Sequence, residues 1–269
     1  MIERLKLPAV YGALTLATGL LADVEGFAFL SLGLSIFVPV LCYAVVEREG
    51  IFMSLAVSAF AVLATGVLSE WRLAFDLSSL PVLGYLLYFL KNFSVEKILL
   101  VSSAFLFAFA VLEELFLGVP ELGNLPWFVD VRWGFYLASS LFFSYLTLVA
   151  ATWVLKRDYS VERVRWGFFP VPFFLLGGFG TVLLKAGTLR FVSENLLVAS
   201  IGFLFVQGLS VFLFYYKKAS LTWKFVFLFT LIVMPAIVFL GAVVTGLLDV
   251  WFDFRKLDRG GKKYEGNLT

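Results

Sequence analysis

The sequence predicts an all-α fold, a polytopic integral membrane helical bundle. Hydrophobic residues make up 61% of its 269 positions and charged residues 15%, against roughly 45–50% and about 25% in an ordinary soluble chain. Nine apolar runs follow one another along the chain, and a helix needs about 20 such residues to cross a bilayer. A soluble fold cannot bury this much apolar surface. We therefore expect a lipid bilayer to cover it.

The apolar runs are joined by short connections and cover residues 5–22, 26–46, 51–69, 77–90, 97–117, 133–155, 167–187, 192–216 and 224–248. The fourth run begins with Ser-Ser-Leu-Pro at 78–81, a sequence that favours a turn. It is predicted to be a short tilted crossing or a half-helix. The seventh run contains Pro-Val-Pro at 170–172 and Gly-Gly-Phe-Gly at 177–180. This density of proline and glycine predicts an unwound or re-entrant element shielded by its neighbours.

Lysine and arginine placement predicts the orientation, because cytoplasmic loops are enriched in both. With the N-terminus inside, Arg72 and Arg132 are the outer basic residues of the first six crossings. Nine full crossings would leave 12 basic residues inside and 9 outside, whereas a seventh run that turns back gives 16 inside and 5 outside. The sequence favours eight crossings plus one re-entrant or broken segment, with both termini cytoplasmic and the chain in the inner (plasma) membrane. Nine regular crossings are the alternative.

Composition also excludes several functions. The chain has no histidine and one cysteine, Cys42, which argues against a Ser-His-Asp triad, histidine ligation of metal or haem and a cysteine cluster. A net charge of +2 spread over loops offers no face for nucleic acid. We expect no enzymatic activity, no cofactor and no metal site. The single glutamine and four asparagines are typical of a thermophilic protein, although a membrane composition lowers their number too.

Polar residues inside a membrane are costly and therefore candidates for function. Arg190, Glu194 and Asn195 stand at the start of the eighth run, and Gln207 lies further along it. Arg190 and Glu194 are four residues apart and would pair on a helix. Asn195 and Gln207 are roughly 18 Å apart along one helix and face different directions. We expect each of these two to make an interhelical hydrogen bond rather than to share a ligand.

The most distinctive string is Gly-Leu-Leu-Asp-Val-Trp-Phe-Asp-Phe-Arg-Lys at 246–256. Asp249 and Asp253 are one helical turn apart and are predicted to share a face. Arg255 follows them, where a cation suits a cytoplasmic headgroup surface. The three residues are interpreted as a junction that caps and pairs the end of the last helix, with docking of a partner as the alternative.

The first run carries a ridge of small residues. Ala9, Ala13 and Ala17 recur every four positions and would lie on one side of a helix. Such ridges let helix backbones approach closely in lipid. Packing inside the chain and docking of a helix from another subunit are both consistent with this spacing.

The order of the runs, the stretch from Asn195 to Val211 and the string at 246–256 resemble the YybS-like family of uncharacterised bacterial membrane proteins. That family is similar to the substrate-binding S components of energy-coupling-factor (ECF) transporters and to the rod-shape protein MreD. In S components an Ala-x-x-x-Ala ridge on the first helix docks the transmembrane coupling subunit, and Ala9, Ala13 and Ala17 match this pattern.

The resemblance implies a six-helix S-component-like core at residues 1–155 and a C-terminal extension of membrane helices with a cytoplasmic tail at 156–269. It implies a subunit that binds an unknown small molecule and works with a transmembrane coupling subunit and partner ATPases. The chain has no Gly-x-x-x-x-Gly-Lys-Ser/Thr phosphate loop of its own. The alternative is a non-transporting membrane scaffold or regulator similar to MreD.

Overall fold

The computed structural model describes residues 2–24, 26–118 and 126–256. These residues form eleven α-helices: α1 Ile2–Ala22, α2 Ala28–Ser35, α3 Phe37–Glu49, α4 Ile51–Leu68, α5 Trp71–Phe89, α6 Val95–Leu117, α7 Pro126–Val154, α8 Pro170–Leu183, α9 Thr188–Lys218, α10 Leu221–Val233 and α11 Pro235–Phe252. A 3-10 turn, Val161–Arg163, lies between α7 and α8. No strand occurs in the described ranges, which agrees with the predicted all-α class. The basic residues Arg259, Lys262 and Lys263 of the predicted cytoplasmic tail lie outside those ranges.

The chain divides into two compact units, one of residues 1–124 and 143–159 and the other of residues 125–142 and 160–269. The division falls within α7. Seven helical stretches of the described residues are long and apolar enough to cross a membrane: Leu5–Ala22, Ala28–Glu49, Ile51–Leu68, Val95–Leu117, Phe128–Val154, Thr188–Lys218 and Pro235–Phe252. The shorter α8 and α10 are apolar as well.

Helix direction in the first unit follows from three contacts. The Tyr11 hydroxyl lies 2.7 Å from that of Ser58, and a Cβ on Gly19 would meet Thr65. A residue later in α1 thus contacts a residue later in α4, so these two helices run parallel. Arg72 at the start of α5 pairs with Glu113 near the end of α6 at 3.2 Å, which makes α5 and α6 antiparallel. This up-and-down order is the one that successive membrane crossings require.

The fourth apolar run forms a complete helix, which corrects the prediction of a turn at 78–81. Helix α5 begins six residues earlier than that run, at Trp71, and contains Pro81. A proline inside a helix has no N–H to donate to the carbonyl four residues earlier, here that of Leu77. The hydroxyls of Ser78 and Ser79 donate to the carbonyls of Phe75 and Asp76 at 2.6 and 2.7 Å. Both hydroxyls thus bond back to the preceding turn of a continuous helix, as serine commonly does inside helices.

In the second unit, the first half of α7 runs parallel to α9. The Asn195 side chain reaches the backbone of Asp130 and Gly134, and further along the two helices the rings of Phe142 and Phe205 lie 5.3 Å apart. The start of α9 therefore lies beside the start of α7, and both helices point the same way.

Helix α8 runs antiparallel to α9, since Phe169 near its start meets Phe203 and Gly180 near its end meets Ser193. This corrects the prediction that the seventh run is unwound. It is a regular helix of 14 residues that ends near the start of α9. Pro170 stands at its first position, where a proline costs no hydrogen bond. A Cβ on Gly177 would come within 2.6 Å of the Leu197 backbone nitrogen, so this glycine permits close helix packing.

The ninth apolar run is interrupted by a proline. Helix α10 ends at Val233 and α11 begins with Pro235. Proline cannot continue the hydrogen-bond ladder of the preceding helix and disfavours helical backbone at the residue before it. Met234 accordingly leaves the helical conformation, with a ψ of 58°. Val238, Ala242, Gly246 and Asp249 form the buried stripe of α11, and Gly246 and Gly208 let its backbone approach that of α9.

Candidate functional site

Helix α1 has two distinct sides in the first unit. Tyr11, Thr15 and Thr18 are buried, whereas Ala9 and Ala13 are exposed and Ala17 is half-buried. The buried side is fixed by the Tyr11 hydroxyl, which contacts Ser58 on α4. The three alanines predicted to form a ridge therefore lie on the outward side of this helix.

Polar side chains lie buried behind that ridge. The Ser58 hydroxyl bonds both Tyr11, at 2.7 Å, and Tyr85, at 3.0 Å. The Cys42 thiol donates to the Pro81 carbonyl at 3.3 Å and lies 3.4 Å from the Ser54 hydroxyl. These bonds link α1, α3, α4 and α5. Cys42 is reduced and buried, and here it acts as a hydrogen-bonding core residue.

The second unit contains an ion pair that is closed off from solvent. The guanidinium of Arg255 lies 2.6 Å from the carboxylate of Asp249, and neither side chain is exposed. Arg255 also donates to the Ser210 hydroxyl at 2.6 Å and to the Glu162 carbonyl at 2.8 Å. Charged groups inside a protein are tolerated when they are paired and hydrogen-bonded in this way.

Gln207 joins this cluster from α9. Its side-chain amide donates to the Asp249 carboxylate at 3.1 Å and to the Gly246 carbonyl at 3.3 Å. Its oxygen accepts from the Trp166 backbone N–H at 3.1 Å. The prediction of an interhelical hydrogen bond at Gln207 is thus confirmed. The same bonds tie the loop before α8 to the last helix.

Asp249 and Asp253 do not share a helix face, which corrects the sequence-based interpretation. Helix α11 ends at Phe252, and Asp253 has a φ of 40°, in the left-handed region. The chain therefore reverses there, and the Asp249 carboxylate accepts the Phe254 N–H at 3.1 Å. Asp253 instead lies 3.7 Å from Arg165. The expectation that Asp249 and Arg255 pair at the helix end holds, but the pair is buried rather than at a headgroup surface.

The ion pair predicted between Arg190 and Glu194 is present at the start of α9. Arg190 donates to Glu194 at 2.7 Å and to the Lys185 carbonyl at 2.8 Å. Asn195 accepts from the Gly134 N–H at 2.7 Å and donates to the Asp130 carbonyl at 2.6 Å, so it makes the interhelical bonds expected of it. An open pocket of about 380 Å³ lies here, lined by Asp130, Lys185, Ala186, Gly187, Arg190, Phe191 and Glu194.

Three contributors to the buried cluster were not singled out from the sequence. Ser210 and Trp166 reach it as described above, and Glu162 supplies a backbone carbonyl while its carboxylate pairs with Lys217 at 2.9 Å. Ser210 lies three residues after Gln207 and so on nearly the same helix face. That spacing was the available signal, whereas the loop contacts depend on tertiary folding.

The fold and these clusters define a class, that of helical proteins with several apolar helices of membrane length. Comparison with protein-family models, curated proteins and solved structures finds no match.

Proposed function

We propose that this chain is a membrane subunit that binds a small molecule and docks a transmembrane coupling partner through the ridge on α1, in the manner of an ECF S component. ATP hydrolysis would be supplied by partner ATPases. The observation that carries the proposal is the outward placement of the ridge, with Ala9 and Ala13 exposed while Tyr11 and Thr15 are fully buried.

The outward placement of the ridge supports docking of a partner, because contact with lipid alone does not require a row of small side chains. Helix association in membranes depends on close backbone approach, which small side chains permit. Had the ridge served internal packing, its alanines would lie where Tyr11 and Thr15 lie. The helices that α1 packs against in its own unit meet the other side, as the contact between Tyr11 and Ser58 illustrates. A helix of another subunit is the partner that this geometry suits.

The proposal includes a topology of eight crossings, with α10 and α11 together forming the broken segment. Helix α9 runs parallel to α7, so Lys185 and Arg190 share the side of Arg132. The residues after α11 return to the far end of α9, since Phe254 accepts a hydrogen bond from Tyr215 at 2.8 Å. An even number of crossings must therefore separate Lys218 from Phe254. Helices α10 and α11 are divided at Met234, and we propose that this number is zero, with the chain entering and leaving the membrane on the same side.

The positive-inside rule supports this arrangement. It places Arg72, Arg132, Lys185 and Arg190 outside and the other 17 of the 21 basic residues inside. That asymmetry exceeds the one obtained when the seventh run turns back. It also keeps both termini cytoplasmic in the plasma membrane.

The decisive experiment is purification of the chain from its native membranes in mild detergent, followed by native mass spectrometry and an ATPase assay. We expect a complex with a membrane subunit and ATPases, and a bound metabolite. Ala13→Leu should abolish the complex but leave the chain folded, because the site is exposed. Ala59→Leu is the matched control, since Ala59 is also an exposed alanine but lies on α4 rather than on the ridge.

A chain that stays alone in both the wild type and Ala59→Leu would contradict docking through the ridge. A complex that depends on Ala13 but contains neither ATPase activity nor a bound metabolite would overturn the transporter proposal. It would instead support a scaffold or regulator similar to MreD, because the same outward ridge suits a partner helix in such an assembly.

A further inference from the structure

A pocket with an unusual charge arrangement lies in the second unit, whereas the ridge on α1 belongs to the first. It lies where α7 and α9 begin and α8 ends, and it has a volume of about 380 Å³. Binding sites for small ligands range from roughly 300 to 1,000 Å³. Two acidic and two basic side chains line this pocket, namely Asp130, Glu194, Lys185 and Arg190.

Two of these four charges are already paired. Arg190 donates from Nε to Glu194 at 2.7 Å, and its Nη1 donates to the Lys185 carbonyl at 2.8 Å. These bonds hold the guanidinium at the wall of the pocket. A guanidinium fixed by its neighbours can receive a phosphate or carboxylate with little further loss of side-chain freedom.

The other two charges remain available. Asp130 and Lys185 are exposed, and within the described ranges neither side chain forms an ion pair or hydrogen bond with the protein. A ligand with only negative charge would meet Lys185 and Arg190 favourably but would be repelled by Asp130 and Glu194. A ligand with only positive charge would be attracted by Asp130 and Glu194 but repelled by Lys185 and Arg190. Both free charges are matched only by a ligand that carries an anionic group and a cationic group together.

The surroundings of the pocket are apolar. Leu183 and Leu189, on either side of the loop that joins α8 and α9, are 72% and 68% exposed. A charged pocket beside an apolar surface complements a phospholipid, which has a polar headgroup attached to hydrocarbon chains. An amino acid dissolved in water presents the same pair of charges without the hydrocarbon.

We propose that this pocket binds a small zwitterion, with Lys185 and Arg190 holding its phosphate or carboxylate and Asp130 holding its ammonium group. The two sources of such a ligand are the headgroup of an ethanolamine phospholipid and a free amino acid or phosphoethanolamine. The proposal does not depend on docking through α1, because it concerns residues of the second unit.

The test uses the full chain in detergent micelles. Phosphatidylethanolamine and phosphatidylglycerol are added separately, and lipid retention is measured by native mass spectrometry. Phosphoethanolamine and a mixture of amino acids are tested by isothermal titration calorimetry. We expect one of the zwitterions to bind and phosphatidylglycerol, which lacks the ammonium, to bind at least about ten-fold more weakly. Retention of the lipid alone identifies a headgroup site, and heat from a soluble compound identifies a metabolite site.

Two variants separate the charges. Lys185→Gln and Asp130→Asn should each weaken zwitterion binding about ten-fold, and both should fold because the altered side chains are exposed. Lys97→Gln and Glu70→Gln are the matched controls, exposed charges of the first unit that should change nothing. Equal binding of phosphatidylglycerol and phosphatidylethanolamine, with no effect of Asp130→Asn, would show a simple anion site and overturn the proposal. Absence of binding by every zwitterion would overturn it as well.

Discussion

The guanidinium of Arg255 returns to the carboxylate of Asp249, six residues earlier in the chain, and meets it at 2.6 Å with neither side chain exposed. The return is possible because Asp253 ends α11 in the left-handed region, with a φ of 40°. A residue that follows the last helix is thereby drawn into the interior. The stability of the second unit should consequently depend on a side chain outside its helices.

Removal of either partner should be severely destabilising. Arg255→Met would leave the Asp249 carboxylate buried without its countercharge, and the loss of one partner from a buried pair costs about 3–5 kcal/mol. We expect a correspondingly lower free energy of unfolding, measured by SDS titration in mixed micelles. The double variant Asp249→Leu with Arg255→Met removes both charges and should recover a large part of the loss.

Glu47→Gln is the control for that experiment, since it disrupts an ion pair with Arg157 in which both side chains are over a third exposed. Exposed pairs contribute about 0–1 kcal/mol. If Arg255→Met cost no more than Glu47→Gln, the buried pair would have no special part in stability.

Close packing of α9 on α11 leads to a second prediction. A Cβ on Gly246 would collide with the Leu204 carbonyl oxygen, whereas one on Gly178 has nothing within 4 Å. Gly246→Ala should lower the free energy of unfolding by about 1–3 kcal/mol, because overpacking forces the backbones apart. Gly178→Ala should be neutral or stabilising by up to about 1 kcal/mol, because alanine favours a helix. Equal effects of both substitutions in the same SDS titration would contradict the close approach.

The direction of α8 and α9 can be tested with single cysteines in a Cys42→Ala background. Ala186→Cys lies between the two helices and Ser220→Cys follows α9, and both positions are exposed. A membrane-impermeant maleimide added to intact cells should label position 186 but not position 220. Asn92→Cys, in the loop after α5, is the cytoplasmic reference and should stay unlabelled. The reverse pattern, with only 220 labelled, would restore a seventh run that turns back.

The hydroxyl bond between α1 and α4 gives a fourth prediction. Tyr11→Phe removes the oxygen that lies 2.7 Å from Ser58 and should reduce the free energy of unfolding by about 1 kcal/mol. Tyr85→Phe removes the longer, 3.0 Å bond to the same serine from a less buried ring and should cost less. Thermal unfolding followed by circular dichroism can rank the two variants. A larger loss for Tyr85→Phe would indicate that Ser58 depends mainly on α5.

The sequence identified features that depend on local spacing. Arg190 and Glu194 are four residues apart on one helix, so their ion pair could be predicted without knowledge of the fold. Asn195 and Gln207 could be assigned interhelical bonds because unpaired amides are costly in an apolar environment. Their partners could not be predicted, since the backbone groups at Asp130 and Gly134 are more than 60 positions from Asn195.

The errors arose where tertiary packing overrode a local signal. Gly177 and Gly180 were read as places where a helix unwinds, yet they are places where Leu197 and Ser193 approach closely. The serines beside Pro81 suggested a turn, but within α5 their hydroxyls bond back to carbonyls of the preceding helical turn. Pro235, by contrast, stood in the middle of a long apolar run and was a sufficient signal to divide it.

Helix α10 has no buried residue along its 13 positions, and this has an evolutionary consequence. Apart from the ring of Phe227, which meets Phe212 and Tyr216 of α9, few neighbouring side chains must be fitted, so natural selection acts there on solubility in lipid more than on shape. A saturation library of α10 should therefore accept leucine, isoleucine, valine, phenylalanine and methionine interchangeably at most positions and, away from Lys224 in its first turn, reject aspartate and lysine. In related proteins the amino-acid identities in α10 should diverge quickly while the hydrophobicity of the segment stays constant.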